Sequence, residues 1–141
     1  MDNRLFTLEN TPIEIIAGDT VEIPYQVLKH DGKKIDLTTP GTKIEWLLSP
    51  YENLGYTEIE KVLTIPIEGD ADYADIGIPV IINELGNKEN TDCFNVKLIP
   101  TDTMGKSGMY TYQIVITDPN NAVNRRMQGN ILIWQNIWER R

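Results

Sequence analysis

Few residues of this chain have the types and spacing that catalysis requires. Its one histidine, His30, comes immediately before an Asp-Gly turn, and its one cysteine, Cys93, opens an apolar segment. A nucleophile–histidine triad or a zinc site needs several such groups to converge. The 21 acidic residues leave carboxylate-pair chemistry open, but no spacing singles out a pair. We therefore expect no catalytic residue, no cofactor and no enzymatic activity.

Gly105-Lys106-Ser107 matches the end of a phosphate-binding loop. The first glycine of that motif would fall at position 100, which is Pro100, and a strand-like segment follows where the motif requires a helix. The sequence therefore predicts a turn before Tyr110 and no nucleotide site.

Three aspartates, Asp70, Asp72 and Asp75, cluster in one polar stretch. Carboxylate oxygens that lie close together are the ligands that calcium prefers. The stretch lacks the glycine and glutamate spacing of an EF-hand loop, which favours a solvated acidic loop. Calcium binding stays open as the alternative.

The charge balance excludes two classes of partner. With 21 acidic and 13 basic residues among 141, the formal net charge is −8. This field repels phosphate backbones and anionic lipid, so we expect neither a nucleic acid nor a membrane as partner. The first residues lack the apolar run of a signal peptide, and a single cysteine is consistent with a reducing compartment. We expect synthesis in a cytoplasm.

The elements that must position any site are strands. From Gly108 to Trp134 two alternating arms flank the turn Asp118-Pro119-Asn120-Asn121, which predicts a long β-hairpin. Its inward positions are Tyr110, Tyr112, Ile114, Ile116, Ile131 and Ile133.

Other segments alternate in the same way. The segment from Val21 to Leu28 contains Pro24, which predicts an edge strand or a bulge, and Trp46 points inward from a strand over 43–48. Residues 50–92 are less regular, and 81–86 fits either strand or one helical turn closed by a glycine. The pattern predicts an all-β, immunoglobulin-like antiparallel β-sandwich of about seven to nine strands. The Cys…Trp…Cys spacing of antibody domains is absent.

The same reasoning divides the chain into an arm (1–12), a sandwich domain (13–134) and a tail (135–141). Apolar and basic residues near both ends are candidates for contact with a partner, since tryptophan and arginine are enriched at interface hot spots. For the tail, packing back across its own sandwich is the alternative. The candidate interface residues are Ile13, Ile15, Arg125, Arg126, Trp134, Trp138, Arg140 and Arg141.

Aromatic residues offer a second class of function, a carbohydrate-binding β-sandwich module. The platform would consist of Tyr51, Tyr56 and Tyr73, with Trp46 a weaker candidate because it alternates with inward residues.

Several short motifs occur in a defined order along the chain. Gly18-Asp19-Thr20 opens a strand, and Ile35-Asp36-Leu37-Thr38 precedes the strand with Trp46. Near the end come Gly108-Met109-Tyr110-Thr111-Tyr112 and Gln128-Gly129-Asn130-Ile131. Together they resemble the immunoglobulin-like N-terminal module of phage upper-baseplate proteins.

That resemblance implies a structural component of a virion. In the baseplate family the module usually precedes a region that carries receptor-binding proteins, whereas here it spans the whole sequence. The expected position is therefore open between capsid, neck, tail and fibre base. The expected partners are other virion proteins and further copies of this chain in a symmetric assembly.

Overall fold

The computed structural model describes residues 6–7, 12–27, 35–120 and 122–135. Strands dominate, with one short helical turn among these residues. In chain order the elements are β1 (Phe6–Thr7), β2 (Ile13–Ile16), β3 (Val21–Gln26), β4 (Lys43–Pro50), β5 (Ile59–Thr64), β6 (Ile76–Gly77), β7 (Ile81–Ile82), β8 (Lys88–Glu89), β9 (Cys93–Leu98), α1 (Pro100–Thr103), β10 (Gly108–Thr117) and β11 (Val123–Trp134).

Two sheets form a sandwich. The larger has the order β11-β10-β4-β5, with β1 and β2 both pairing in parallel with β11. The smaller has the order β3-β9-β6, and β7 and β8 form a separate two-stranded hairpin. In an immunoglobulin-type sandwich, strands C, F and G lie in one sheet and strands B, E and D in the other. Here β4, β10 and β11 form the first group, and β3, β9 and β6 form the second. The predicted fold class is confirmed.

Trp46 lies at the centre of the core. It is fully buried on β4, as the alternation predicted, and its indole Nε1 donates to the hydroxyl of Tyr25 at 3.0 Å. The Tyr25 ring, on the smaller sheet, lies 5.2 Å from that of Tyr112 on the larger sheet. Antibody domains join their sheets beside a tryptophan with a disulfide. Here a pair of tyrosines joins them, and Trp46 has no exposed surface for a glycan.

The outermost long strands resist pairing with another chain. On β5 the side chain of Lys61 points inward, where its Nζ lies 2.8 Å from Oδ2 of Asp102 and 3.9 Å from Oδ1 of Asp75. An inward charge on an edge strand disfavours addition of a further strand. β3 is an edge strand of the smaller sheet, as predicted, and Pro24 removes one of its donors.

The C-terminal hairpin is as predicted. β10 and β11 pair over ten registered positions, with a bulge after Ile116, and the inward residues are buried. At the turn the Asp118 carboxylate accepts hydrogen bonds from the backbone N–H groups of Asn120 and Ala122. The Asp118 side chain therefore fixes the turn by accepting hydrogen bonds from the backbone that follows it.

Two segments differ from the simplest sequence interpretation. Residues 81–86 are not helical: β7 is followed by a turn in which Oδ1 of Asn83 accepts from the N–H groups of Leu85 and Asn87. α1 lies shortly before the predicted turn that precedes Tyr110, and the Asp102 carboxylate stabilises its start by accepting a hydrogen bond from the N–H of Ile99. The predicted turn at His30 lies outside the described residues.

Candidate interaction surface

The structure corrects the interface prediction at the start of the chain. Ile15 is opposite Ile133 and buried in the core, and Ile13 packs against that core. Because β2 pairs with β11, both isoleucines point toward the core, so Ile15 offers no surface to a partner and Ile13 is only partly exposed. Ile16 is the apolar residue of this strand that faces outward, on the same side as Glu14.

The basic candidates do not share one surface among the described residues. Arg126 is exposed and lies opposite Val115, far along β11 from Trp134. Of Arg125 the structure describes the backbone, which lies opposite Ile116. Trp138, Arg140 and Arg141 lie outside the described residues.

Trp134 is exposed on the outer face of the larger sheet, next to other apolar residues. It lies opposite Ile16, and the neighbouring pair on this face joins Leu132 to Met109. The N–H of Tyr51 donates to the Met109 carbonyl at 3.2 Å. The exposed fractions are 53% for Trp134, 47% for Ile16, 37% for Met109 and 57% for Tyr51. We call these four residues and Leu132 the Trp134 patch.

The patch ends at a row of polar residues. Beyond Leu132 and Met109 the next outward positions are Asn130, Thr111 and Ser49, in register across three strands. The hydroxyl of Thr111 lies 3.1 Å from Oδ1 of Asn130, and it donates there. The Trp134 patch therefore lies at the end of the sheet where β11 finishes.

Three acidic residues adjoin the patch, either across the strands or along the chain. Glu14 is opposite Leu132, and its Oε1 accepts a hydrogen bond from the Trp134 indole at 2.8 Å. Asp19 and Glu52 are exposed shortly after Ile16 and directly after Tyr51. We call Glu14, Asp19 and Glu52 the acidic rim. An apolar centre with a charged rim is the usual composition of a protein–protein contact.

Comparisons with known proteins add little to this geometry. No family model matches the sequence, and no curated protein matches it. Among solved structures, fibronectin(III)-like modules of Clostridium thermocellum CbhA are similar to 92% of this chain and 95% of their own, with 10% identity and a TM-score of 0.40. A likeness this loose carries no argument about function. The immunoglobulin-like architecture follows from the strand order itself.

Sequence reasoning found Trp134 but missed Ile16, Met109 and Leu132. All three occupy outward positions of strands, where polar residues are expected on a solvated face. In the sequence, these residues can be recognised as apolar residues at the strand positions that alternate with the core positions. Contiguous exposed apolar residues of this kind mark interaction sites in soluble proteins.

A lysine and a carboxylate stabilise the loop beside the patch. Lys106 Nζ lies 2.9 Å from Oε1 of Glu58, and this hydrogen bond raises the pKa of Lys106 above its usual 10.5. Burial, with the charge of Glu58 added, raises the pKa of Tyr110 above 10.0. In the core, burial raises the pKa of Tyr25 well above 10.0, and the charge of Tyr112 also raises it.

These three shifts predict loss of stability in alkali. The unfolded chain releases the three protons at the ordinary pKa values of 10.0 and 10.5, whereas the folded chain retains them. The unfolded state then binds fewer protons, so the contribution of these three groups to the free energy of unfolding should be constant below about pH 10 and fall above it. Urea unfolding at a series of pH values measures this. Tyr25→Phe should make the alkaline slope shallower, and an unchanged slope would contradict the assignment.

The acidic loop provides no assembled ligand set. Asp72 accepts from the N–H of Ala74, and Asp75 faces Lys61. Within the described ranges, no three His, Cys, Asp or Glu side chains come together as metal ligands would. In the same part of the chain, no helix has the length and apolar character needed to span a bilayer.

The tyrosines of the glycan hypothesis lie in two loops. Tyr51 and Tyr56 are both exposed between β4 and β5, whereas Tyr73 is exposed between β5 and β6. The backbone carbonyl of Tyr73 accepts from Lys97, which holds its loop against the smaller sheet. Of the proposed platform, Tyr51 and Tyr56 therefore share one loop.

Proposed function

We propose that the protein is a non-enzymatic structural component of a bacteriophage particle, made in the bacterial cytoplasm and held in the virion by contact with neighbouring subunits. The Trp134 patch is the observation that carries this proposal. A solitary soluble domain gains nothing from exposing Trp134, Ile16 and Met109 together, whereas a subunit buries such residues on assembly. The resemblance of its motifs to the phage baseplate module is the reason to expect that the assembly is a phage particle.

Two edge strands of the sandwich are poorly suited to contact a partner by adding a strand to a sheet. Lys61 and Pro24 disfavour strand addition at β5 and β3. We expect docking through the side chains of the outer face of the larger sheet, because the Trp134 patch lies there. The partner must cover apolar residues while leaving the acidic rim solvated or paired with basic groups, because burying an unpaired carboxylate is costly.

We expect virions assembled with Met109→Glu to lose the protein. A carboxylate in the centre of the buried contact would lie unpaired beside Leu132. Tyr51→Ala should reduce incorporation as well, and the matched control is Tyr73→Ala, which also truncates an exposed tyrosine. Quantitative mass spectrometry of purified particles gives the copy number, and thermal unfolding verifies that each variant is folded. Normal incorporation of folded Met109→Glu would refute the proposal.

A second candidate is adhesion to host carbohydrate. The exposure of Tyr51 and Tyr56 in one loop favours it, because flat aromatic rings can stack on sugar rings. A glycan array separates the two functions. Binding that disappears in Tyr56→Ala, together with normal incorporation of Met109→Glu, would support adhesion and not docking.

A further inference from the structure

We infer that the Trp134 patch binds the C-terminal segment of a second copy of this chain, residues 136–141. This inference rests on the proposed function and names one of the partners. It predicts a head-to-tail contact in which each copy contributes a segment to one neighbour and a patch to another. The Trp134 patch and the acidic rim lie among the residues that the structure describes, whereas the segment is known from its sequence.

The chemistry of the segment complements that of the patch. Its sequence, Asn-Ile-Trp-Glu-Arg-Arg, places two apolar residues, Ile137 and Trp138, before the basic pair Arg140-Arg141. The apolar pair suits the exposed surface of Trp134 and Met109, and the arginines suit the acidic rim. Arginine binds carboxylates through paired, charge-assisted hydrogen bonds, which adds directional specificity to the contact.

The direction of β11 favours a neighbour over the same copy. β11 runs toward the end of the sandwich and finishes at Trp134, whose carbonyl accepts from the N–H of Ala17. Leu132 and Met109 lie behind this point, in the direction from which the strand has come. Continuation in the direction of β11 would lead away from Leu132 and Met109. Six extended residues span roughly 20 Å, enough to cross a small surface on an adjacent molecule.

Charge disfavours the alternative symmetric contact. In a patch-to-patch dimer the acidic rims of two copies would face each other, on a chain whose net charge is already −8. The segment-to-patch contact instead brings arginines to carboxylates. Because its two surfaces differ, the contact is heterologous, and it closes into a ring or extends as a filament. Repeated copies on a symmetric particle have this geometry.

The test is complementation between two full-length variants. Met109→Glu disables the patch and leaves the segment intact, whereas Trp138→Ala disables the segment and leaves the patch intact. We expect wild type to associate as its concentration rises in sedimentation velocity, and each variant alone to associate about 30-fold more weakly, the loss typical of a hot-spot residue. An equimolar mixture of the two should form a one-to-one dimer, since one good segment meets one good patch. Tyr73→Ala is the control and should behave as wild type.

Other outcomes overturn the inference. Wild-type association by Trp138→Ala would mean that patches meet directly, and a mixture that stays monomeric would exclude exchange of segments between copies. Wild type that is monomeric at every concentration would also refute it. The proposed function is tested separately: particles that incorporate Trp138→Ala normally but exclude Met109→Glu would leave virion docking in place and remove the second copy as occupant.

Discussion

Gly129→Ala is expected to destabilise the protein by about 2 to 3 kcal/mol, the upper part of the range for overpacked cores. Gly129 lies directly opposite Tyr112 in the β10–β11 pair. A Cβ atom built there would lie 2.5 and 2.6 Å from two carbons of the Tyr112 ring, and closer still to its hydroxyl. Tyr112 is buried and its ring lies 5.2 Å from that of Tyr25, so a displacement of the ring would alter that contact. The added methyl group would therefore disturb the contact that joins the two sheets.

Gly77→Ala is the matched control. Gly77 is also a strand glycine, but an added Cβ would meet Lys97 at an ordinary 3.6 Å. Its effect should stay within about 0.5 kcal/mol. A double-mutant cycle completes the test: in a Tyr112→Ala background, Gly129→Ala should cost little, because the ring that it meets is gone. Urea unfolding of the four proteins gives the coupling free energy. Equal costs of Gly129→Ala in both backgrounds would contradict the proposed clash.

Long alternating segments made much of this fold predictable. In β10 and β11 the apolar positions recur at every second residue over many positions, so the inward face is determined by the sequence alone. Trp46 and Pro24 were likewise assigned correctly, one by alternation and the other by its missing N–H. The strands over 76–89 were not predictable in this way, because β6, β7 and β8 each have two residues. A period cannot be recognised in two residues.

The Trp134 patch was harder to predict than the core, because the sequence does not show which alternate residues of β2 face inward. Ile15 and Ile16 are adjacent, so a period of two allows only one of them to face inward. The pairing of β2 with β11 sets the answer by placing Ile15 beside Ile133. Trp134 was singled out by residue type, but its neighbours Met109 and Leu132 come from sequence positions far apart. Only the register between β10 and β11 brings those two together.

Trp46→Ala is expected to cost about 3 to 5 kcal/mol, the range for removing a large aromatic side chain from a core. The indole fills the centre of the sandwich with no exposed surface. Its loss also leaves the Tyr25 hydroxyl without the hydrogen bond that it accepts from Nε1. Guanidinium unfolding measures the change, and a cost below about 1 kcal/mol would contradict the central position of Trp46.

Tyr25→Phe separates the hydrogen bond from the packing. It keeps the ring next to Phe94 and Tyr112 but removes the acceptor of the Trp46 N–H, which predicts a loss of about 1 to 3 kcal/mol. Trp46→Ala should then cost less in the Tyr25→Phe background than in wild type, because the hydrogen bond is lost only once. Below its own melting temperature, folded Trp46→Ala should still associate through the Trp134 patch, since Trp46 contributes no surface. A folded variant that lost association would show that the core and the patch are coupled through β4 and β10.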